Sequence, residues 1–243
     1  MIPATETFDT ILQGKLTVIQ GKSGYRFSLD ALLLADFARR KGIKKIVDLG
    51  TGNGIVPLIL AALGPRARVT GLEVQEQMVA RARRGVALNQ LEDRVEIVQG
   101  DVRSVEPLFA PESFDLAVCN PPYRAPRSGR INPDPEKRIA RHETEGYLRD
   151  FLYAGSYLLR RGGTMALVYP ATRAVDLLET MRQNGLEPKR LRLVHSFQQS
   201  PASLLLVEGV KGGRDELAIM PPLVVYRQGK EYTAELKAIL AGR

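Results

Sequence analysis

From Lys45 onward, apolar runs of two lengths take turns along the chain. Short runs with β-branched residues, IVDLG (46–50), VTGLEV (69–74), VEIVQGD (95–101), FDLAVCN (114–120) and TMALVYP (164–170), read as strands. Between them lie longer stretches, Ile55 to Leu63, Gln75 to Asn89, Tyr147 to Leu159 and Ala171 to Gln183, which read as helices. Such alternation predicts an α/β fold whose mostly parallel sheet carries helices on both faces. The tail changes character: LRLVHSF, SLLLVEGV and PPLVVYRQG are successive strand-like runs, so an antiparallel C-terminal edge is expected. Residues 1–27 form a short β-rich N-terminal extension. In it LTVIQ (16–20) alternates, GKSG (21–24) has turn composition, and YRF (25–27) is the expected returning strand. Ser28 stands at an N-cap position before the apolar helix ALLLADFA, with Asp30 in its first turn and a cationic cluster (Arg39, Arg40, Lys41, Lys44, Lys45) beyond its end. The reading is a single domain over 1–243.

Composition narrows the function. The chain has 243 residues, 44% hydrophobic and 26% charged, close to the globular average. Its longest apolar stretch, IVPLILAAL, contains Pro57 and is about half of what a bilayer span needs. The first ten residues have neither a basic nor an apolar signal region, so a cytoplasmic protein without a membrane contact is expected. Cys119 is the only cysteine, and His142 and His195 are the only histidines, which argues against a disulfide or a metal centre. A net charge of +8 is compatible with a polyanionic partner, chiefly nucleic acid, and equally with a solvated basic surface.

The segment PPYRAPRSGRINPDPEKRIARHE after Asn120 breaks the rhythm. It is rich in proline and carries Arg124, Arg127, Arg130, Lys137, Arg138 and Arg141, so the basic loop 124–142 reads as a lid or substrate clamp at the sheet edge, with a solvated surface loop as the alternative. Two motifs flank the chemistry. DLGTGNG (48–54) joins a strand to a helix, and glycines at 50, 52 and 54 let the backbone turn sharply and approach a ligand. A dinucleotide fingerprint would place its third glycine at position 55, where this chain has Ile55. Glu73 ends the second core strand, where a carboxylate can accept from both ribose hydroxyls. Asp101, followed by Val102, ends the third, as an acceptor for an adenine amino group or simply as a cap or surface charge.

NPPY (120–123) ends the fourth core strand. Asn120 and Pro121 each precede a proline and are held extended, so the Asn120 side-chain oxygen and the Pro121 carbonyl can converge as two acceptors. An amino group on an aromatic ring is a poor nucleophile; two acceptors on its N–H groups would orient the lone pair and stabilise developing positive charge. Tyr123 offers a face for a base to stack on.

Together these motifs resemble the amino-methyltransferases of the Rossmann-like class I S-adenosylmethionine (SAM) superfamily. More closely, GYRFSLDALLLADFA (24–38), DLGTGNG, NPPY, RIARHE (138–143) and the β-rich tail resemble bacterial valine-tRNA adenine-N6 methyltransferases, which methylate the adenine immediately 3′ of the anticodon. The resemblance implies a seven-stranded sheet, SAM as cofactor, S-adenosylhomocysteine (SAH) as product and tRNA as partner. It implies Asp48, Gly50, Thr51 and Gly52 around the methionine portion, Glu73 on the ribose, Asp101 and Val102 near the adenine, and Asn120, Pro121, Pro122 and Tyr123 at the target base. Tyr25 and Asp30 would close over the methionine end, although a helix cap alone also explains Asp30. Arg124, Arg127, Arg130 and Lys137 would contact RNA. The implied reaction is direct displacement by adenine N6 with no general base. A glutamine N5-methyltransferase acting on release factors shares NPPY, as do rRNA and DNA amino-methyltransferases; the former carries a helical N-terminal domain where this chain has a short β-rich extension.

Overall fold

The computed structural model describes residues 5–22, 29–64, 67–121 and 148–243. Its first two strands, β1 (Glu6–Ile11) and β2 (Leu16–Gly21), form an antiparallel hairpin in register from Glu6↔Gly21 to Ile11↔Leu16. The partner of 16–20 is thus 6–11; the expected returning strand 25–27 and Ser28 lie outside the described residues. The hairpin was illegible because its turn lacks the usual composition: Leu12 and Gln13 adopt left-handed φ of 52° and 58° before Gly14. Leu12 is 2% exposed within the core, and that burial offsets the strained backbone.

The core follows the expected alternation: α1 (Leu29–Ala38), β3 (Lys45–Leu49), α2 (Ile55–Leu63), β4 (Arg68–Glu73), α3 (Glu76–Leu88), β5 (Val95–Gln99), β6 (Phe114–Cys119), α4 (Leu148–Leu158), β7 (Leu159–Pro170), a 3-10 turn (Ala171–Arg173) and α5 (Ala174–Gln183). Two long strands follow, β8 (Leu186–His195) and β9 (Ala202–Lys211), and then two short ones, β10 (Ala218–Ile219) and β11 (Leu223–Val224). A last small hairpin, β12 (Tyr226–Gln228) and β13 (Glu231–Tyr232), leads into α6 (Ala234–Leu240). The sheet order is β10-β8-β9-β7-β6-β3-β4-β5, with β11 also on β8.

All pairings from β3 to β7 are parallel. β9 is antiparallel to both β7 and β8, so β8 points the same way as the core strands. The antiparallel strand therefore lies inside the sheet rather than at its rim, consistent with the fully buried run Leu205–Val207. PPLVVYRQG is broken into β11 and β12, and the tail ends in a helix that the sequence reading passed over. Its N-cap is Thr233, whose Oγ1 accepts from Leu236 N at 3.2 Å.

Alternation within each strand divides the core. Ile46, Val69, Ile97, Leu116 and Val118 pack on one face with α1, α2 and α3. Val47, Leu49, Leu72, Ala117 and Cys119 pack on the other with α4 and α5. The chain leaves β5 at one rim and re-enters at β6, on the far side of β3. The switch point between β3 and β6 is where open α/β sheets bind ligands, outside the carboxyl ends of the strands. Among the described residues no helix is long and apolar enough to cross a membrane.

Candidate active site

The loop from Gly50 to Gly54 turns over the carboxyl end of β3. Gly50 N and Thr51 N both donate to Leu72 O, at 2.9 and 3.0 Å, folding the loop against β4. Gly50 has φ 71°, and a Cβ there would lie 3.0 Å from the Phe151 ring; Gly52 has φ 57°. Only glycine takes this path without strain. Asp48, 2% exposed, is directed beneath the loop, and its Oδ2 accepts from Thr51 Oγ1–H at 2.5 Å. Burial pushes the Asp48 carboxyl up to about 7; the Thr51 hydrogen bond opposes this and the charge of Glu73 adds to it.

Room for Thr51 comes from a residue the sequence reading did not single out. Gly71 is the register partner of Asp48, and a Cβ on it would meet Thr51 Cγ2 at 2.8 Å, Thr51 Oγ1 at 2.9 Å and Ile97 Cδ1 at 2.9 Å. The available signal was a glycine inside VTGLEV, since strand interiors disfavour glycine unless something approaches closely.

Glu73, 5% exposed at the end of β4, accepts from Gly52 N through Oε2 at 2.8 Å and from Gln75 N through Oε1 at 2.9 Å. Burial raises its carboxyl above the ordinary value, and these backbone donors partly offset that. The same side chain that ends the strand thus also pins the glycine loop. Gly100 N donates to Glu73 O at 2.9 Å, which brings the end of β5 alongside.

Asp101 then differs from expectation in its company. Arg103 Nε lies 3.0 and 2.9 Å from its two oxygens, and Arg103 N donates to Oδ1 at 2.8 Å. The guanidinium holds the carboxyl below its usual range. Val102 is 7% exposed and packs with Leu72 and Val105.

Asn120 follows β6, half-buried, and Pro121 is buried. Because β6 pairs with β3, this pair stands beside the glycine loop across the switch point. Asp30 lies half-buried in the first turn of α1. Tyr25, Pro122, Tyr123, Arg124, Arg127, Arg130 and Lys137 lie outside the described residues.

Asn53 was also missed. Its Nδ2 donates to Ile19 O at 3.3 Å, joining the N-terminal hairpin to the loop, while its Oδ1 is buried with no partner among the described residues. An orphaned buried acceptor costs about 1–3 kcal/mol unless a donor arrives. With Asp48 on β3, Glu73 at the end of β4 and Asp101 two residues past the end of β5, the acidic groups stand at the ends of three adjacent strands, which span about 10 Å at ~4.8 Å per strand. This set of acceptors, with a glycine cradle, fits an elongated nucleoside with a cationic tail. Among the described residues no His, Cys, Asp and Glu cluster could hold a metal ion.

The family model described as methyltransferase small domain matches residues 28–184. The chain is 33% identical over 189 residues to the tRNA1(Val) (adenine(37)-N6)-methyltransferase of Porphyromonas gingivalis, covering 75% of this chain and 73% of that one. It is 32% identical to the enzyme of the same name from Bacteroides thetaiotaomicron (75% and 81% covered) and 30% identical to that of Vibrio campbellii (80% and 80%). Among solved structures, a predicted O-methyltransferase from Agrobacterium tumefaciens superposes with a TM-score of 0.72 at 24% identity, over 88% of this chain and 96% of that one. A SAM-dependent methyltransferase from Aquifex aeolicus gives 0.54 at 15% identity, over 74% and 87%. These two likenesses show the fold.

Proposed function

Because this chain belongs to the methyltransferase small domain family, we propose that it transfers a methyl group from SAM to N6 of an adenine in tRNA, as its relatives from Porphyromonas, Bacteroides and Vibrio are named for doing to adenine 37 of a valine tRNA. The observation that carries the reading is the juxtaposition, on the adjacent strands β3 and β6, of a glycine loop backed by buried carboxylates and the Asn120–Pro121 pair. Bound SAM supplies an electrophilic methyl on a sulfonium.

The residues around it divide the remaining work. Asp48, Gly50, Thr51 and Gly52 would hold the methionine portion, and Asp30 and Tyr25 are assigned to the same end of the cofactor. Glu73 accepts from the ribose hydroxyls with the lone pairs that the Gly52 and Gln75 amides leave free. Asp101 and Val102 would receive the adenine, in which case Arg103 would have to share or release the carboxylate. At the acceptor side, the Asn120 oxygen and the Pro121 carbonyl would bind the two N–H groups of the target amine, and Pro122 and Tyr123, which follow them in the sequence, would serve the target base. The attacking amine is neutral, so its proton can leave to solvent after transfer, and no general base is assigned. Arg124, Arg127, Arg130 and Lys137 meet RNA phosphates, consistent with the +8 charge.

The test is tritiated-methyl transfer from SAM to total tRNA, protein extract and duplex DNA, followed by nucleoside analysis. N6-methyladenosine in tRNA is the expected product. Label confined to protein would instead favour the glutamine N5 reading, and label in DNA would also overturn the proposal.

A further inference from the structure

Three aromatic rings stand together at the same edge of the sheet, away from the glycine loop. β8 is parallel to the core strands, so Phe197, in the turn after it, lies at the carboxyl edge; Phe197 N donates to Ser200 Oγ at 2.9 Å and fixes that turn. The chain returns to this edge after β11, where Val225 N donates to His195 O at 2.8 Å and Tyr226 N to Ser196 O at 2.9 Å. Tyr226 then pairs with Tyr232 across the β12–β13 hairpin. The ring centroids of Phe197 and Tyr226 are 5.5 Å apart at 33°, and those of Tyr226 and Tyr232 are 5.4 Å apart at 23°. They form one ladder with Tyr226 in the middle. The outer rings are the exposed ones, Phe197 at 41% and Tyr232 at 37%.

We propose that this ladder is a second RNA contact, on which unpaired bases near the target adenine stack; it rests on the reading of the substrate as tRNA. Every base offers a π-face, so aromatic platforms recognise single-stranded RNA without demanding one sequence. The position suits a loop already gripped at Asn120: β8 is three strand spacings from β6, about 14 Å at ~4.8 Å each. The charge suits it as well. The hairpin carries exposed Arg227 and Lys230, neither with an acidic partner among the described residues, beside the ladder and available to phosphates.

The experiment compares the wild-type protein with the double variant Phe197→Leu/Tyr232→Leu, which keeps apolar bulk and removes the π-faces. The probe is an anticodon stem-loop transcript of a valine tRNA, bound across a salt series, with SAM affinity measured by calorimetry. Stacking predicts binding weaker by about tenfold at every salt concentration, with the salt slope unchanged. The KM for RNA should rise while kcat and SAM affinity stay as in wild type. The conservative pair Phe197→Tyr/Tyr232→Phe should behave as wild type, and Arg227→Ala/Lys230→Ala should instead flatten the slope by about 0.7 per lost contact on a single strand. The proposal is overturned if the leucine variant binds and methylates RNA normally. It is also overturned if the conservative pair is equally impaired, which would make the rings hairpin packing, or if the leucine variant loses only a concentration-dependent self-association. A wild-type protein that neither binds nor methylates the transcript would overturn the functional proposal first and this one with it.

Discussion

Replacing Asp48 with Asn should make the ligand-free protein more stable, increasingly so as pH rises. Asp48 ionises near 3.8 in an ordinary setting and at about 7 in its buried place. A carboxyl whose pKa is raised on folding favours the folded state most fully below the unfolded value, and that contribution disappears as pH climbs towards the folded value. At ~1.36 kcal/mol per pH unit, the cost of burying this carboxyl, still protonated in the folded state at pH 5 and ionised there at pH 8, grows from about 2 kcal/mol to about 4 kcal/mol.

Asn keeps an acceptor for Thr51 Oγ1–H and carries no charge, so whatever fixed cost its amide brings is the same at both pH values. The variant should therefore gain about 2–3 kcal/mol on wild type between pH 5 and pH 8. In a chain of this size that is a relative rise in Tm of about 4–12 °C. Thermal unfolding of both proteins at the two pH values measures it. A difference in Tm that does not change with pH, or that is larger at pH 5, would refute the argument from burial. The same carboxylate is proposed to face a cationic ligand, so wild-type affinity for SAM should fall below about pH 7 while the Asn variant binds weakly at every pH; calorimetry reads both.

Other positions give independent checks. Gly71→Ala places a methyl against Thr51 and Ile97 and should cost about 1–3 kcal/mol of stability together with SAM affinity, read by denaturant unfolding and calorimetry. Glu73→Ala should weaken SAM and SAH alike by about 1–3 kcal/mol, and unchanged affinity for both would remove Glu73 from the ribose. Asn120→Ala should leave SAM binding nearly intact and slow methyl transfer by about a hundredfold or more; near-normal turnover would dismiss the amine-orienting role. Replacing Arg127, Arg130 and Lys137 by Ala should raise the KM for tRNA and flatten its salt dependence, and parallel salt slopes would show that the loop meets no phosphates.

The amino-acid sequence by itself determined the layout. Strand and helix periods are local, and burial on one face or both imprints them on neighbouring residues, so IVDLG, VTGLEV and FDLAVCN could be read as strands without knowing their order. DLGTGNG and NPPY were legible for the same reason: glycine and proline restrict or free the backbone where they stand. What only the tertiary structure decided are partnerships between residues far apart in the chain. Glu73 serves the Gly52 amide, Asn53 reaches Ile19, and Gly71 makes space for Thr51, because β4 lies beside β3 and the hairpin lies against the loop. The hairpin partner of β2 was hidden by a turn that relies on the burial of Leu12 rather than on turn composition. Likewise Phe197, Tyr226 and Tyr232 carry no common motif. They meet because β9 inserts between β7 and β8 and so returns β8 and β11 to the edge where the core strands end. Hydrophobic period encodes which face a residue buries; strand order, set by the packing of the whole sheet, selects its neighbours.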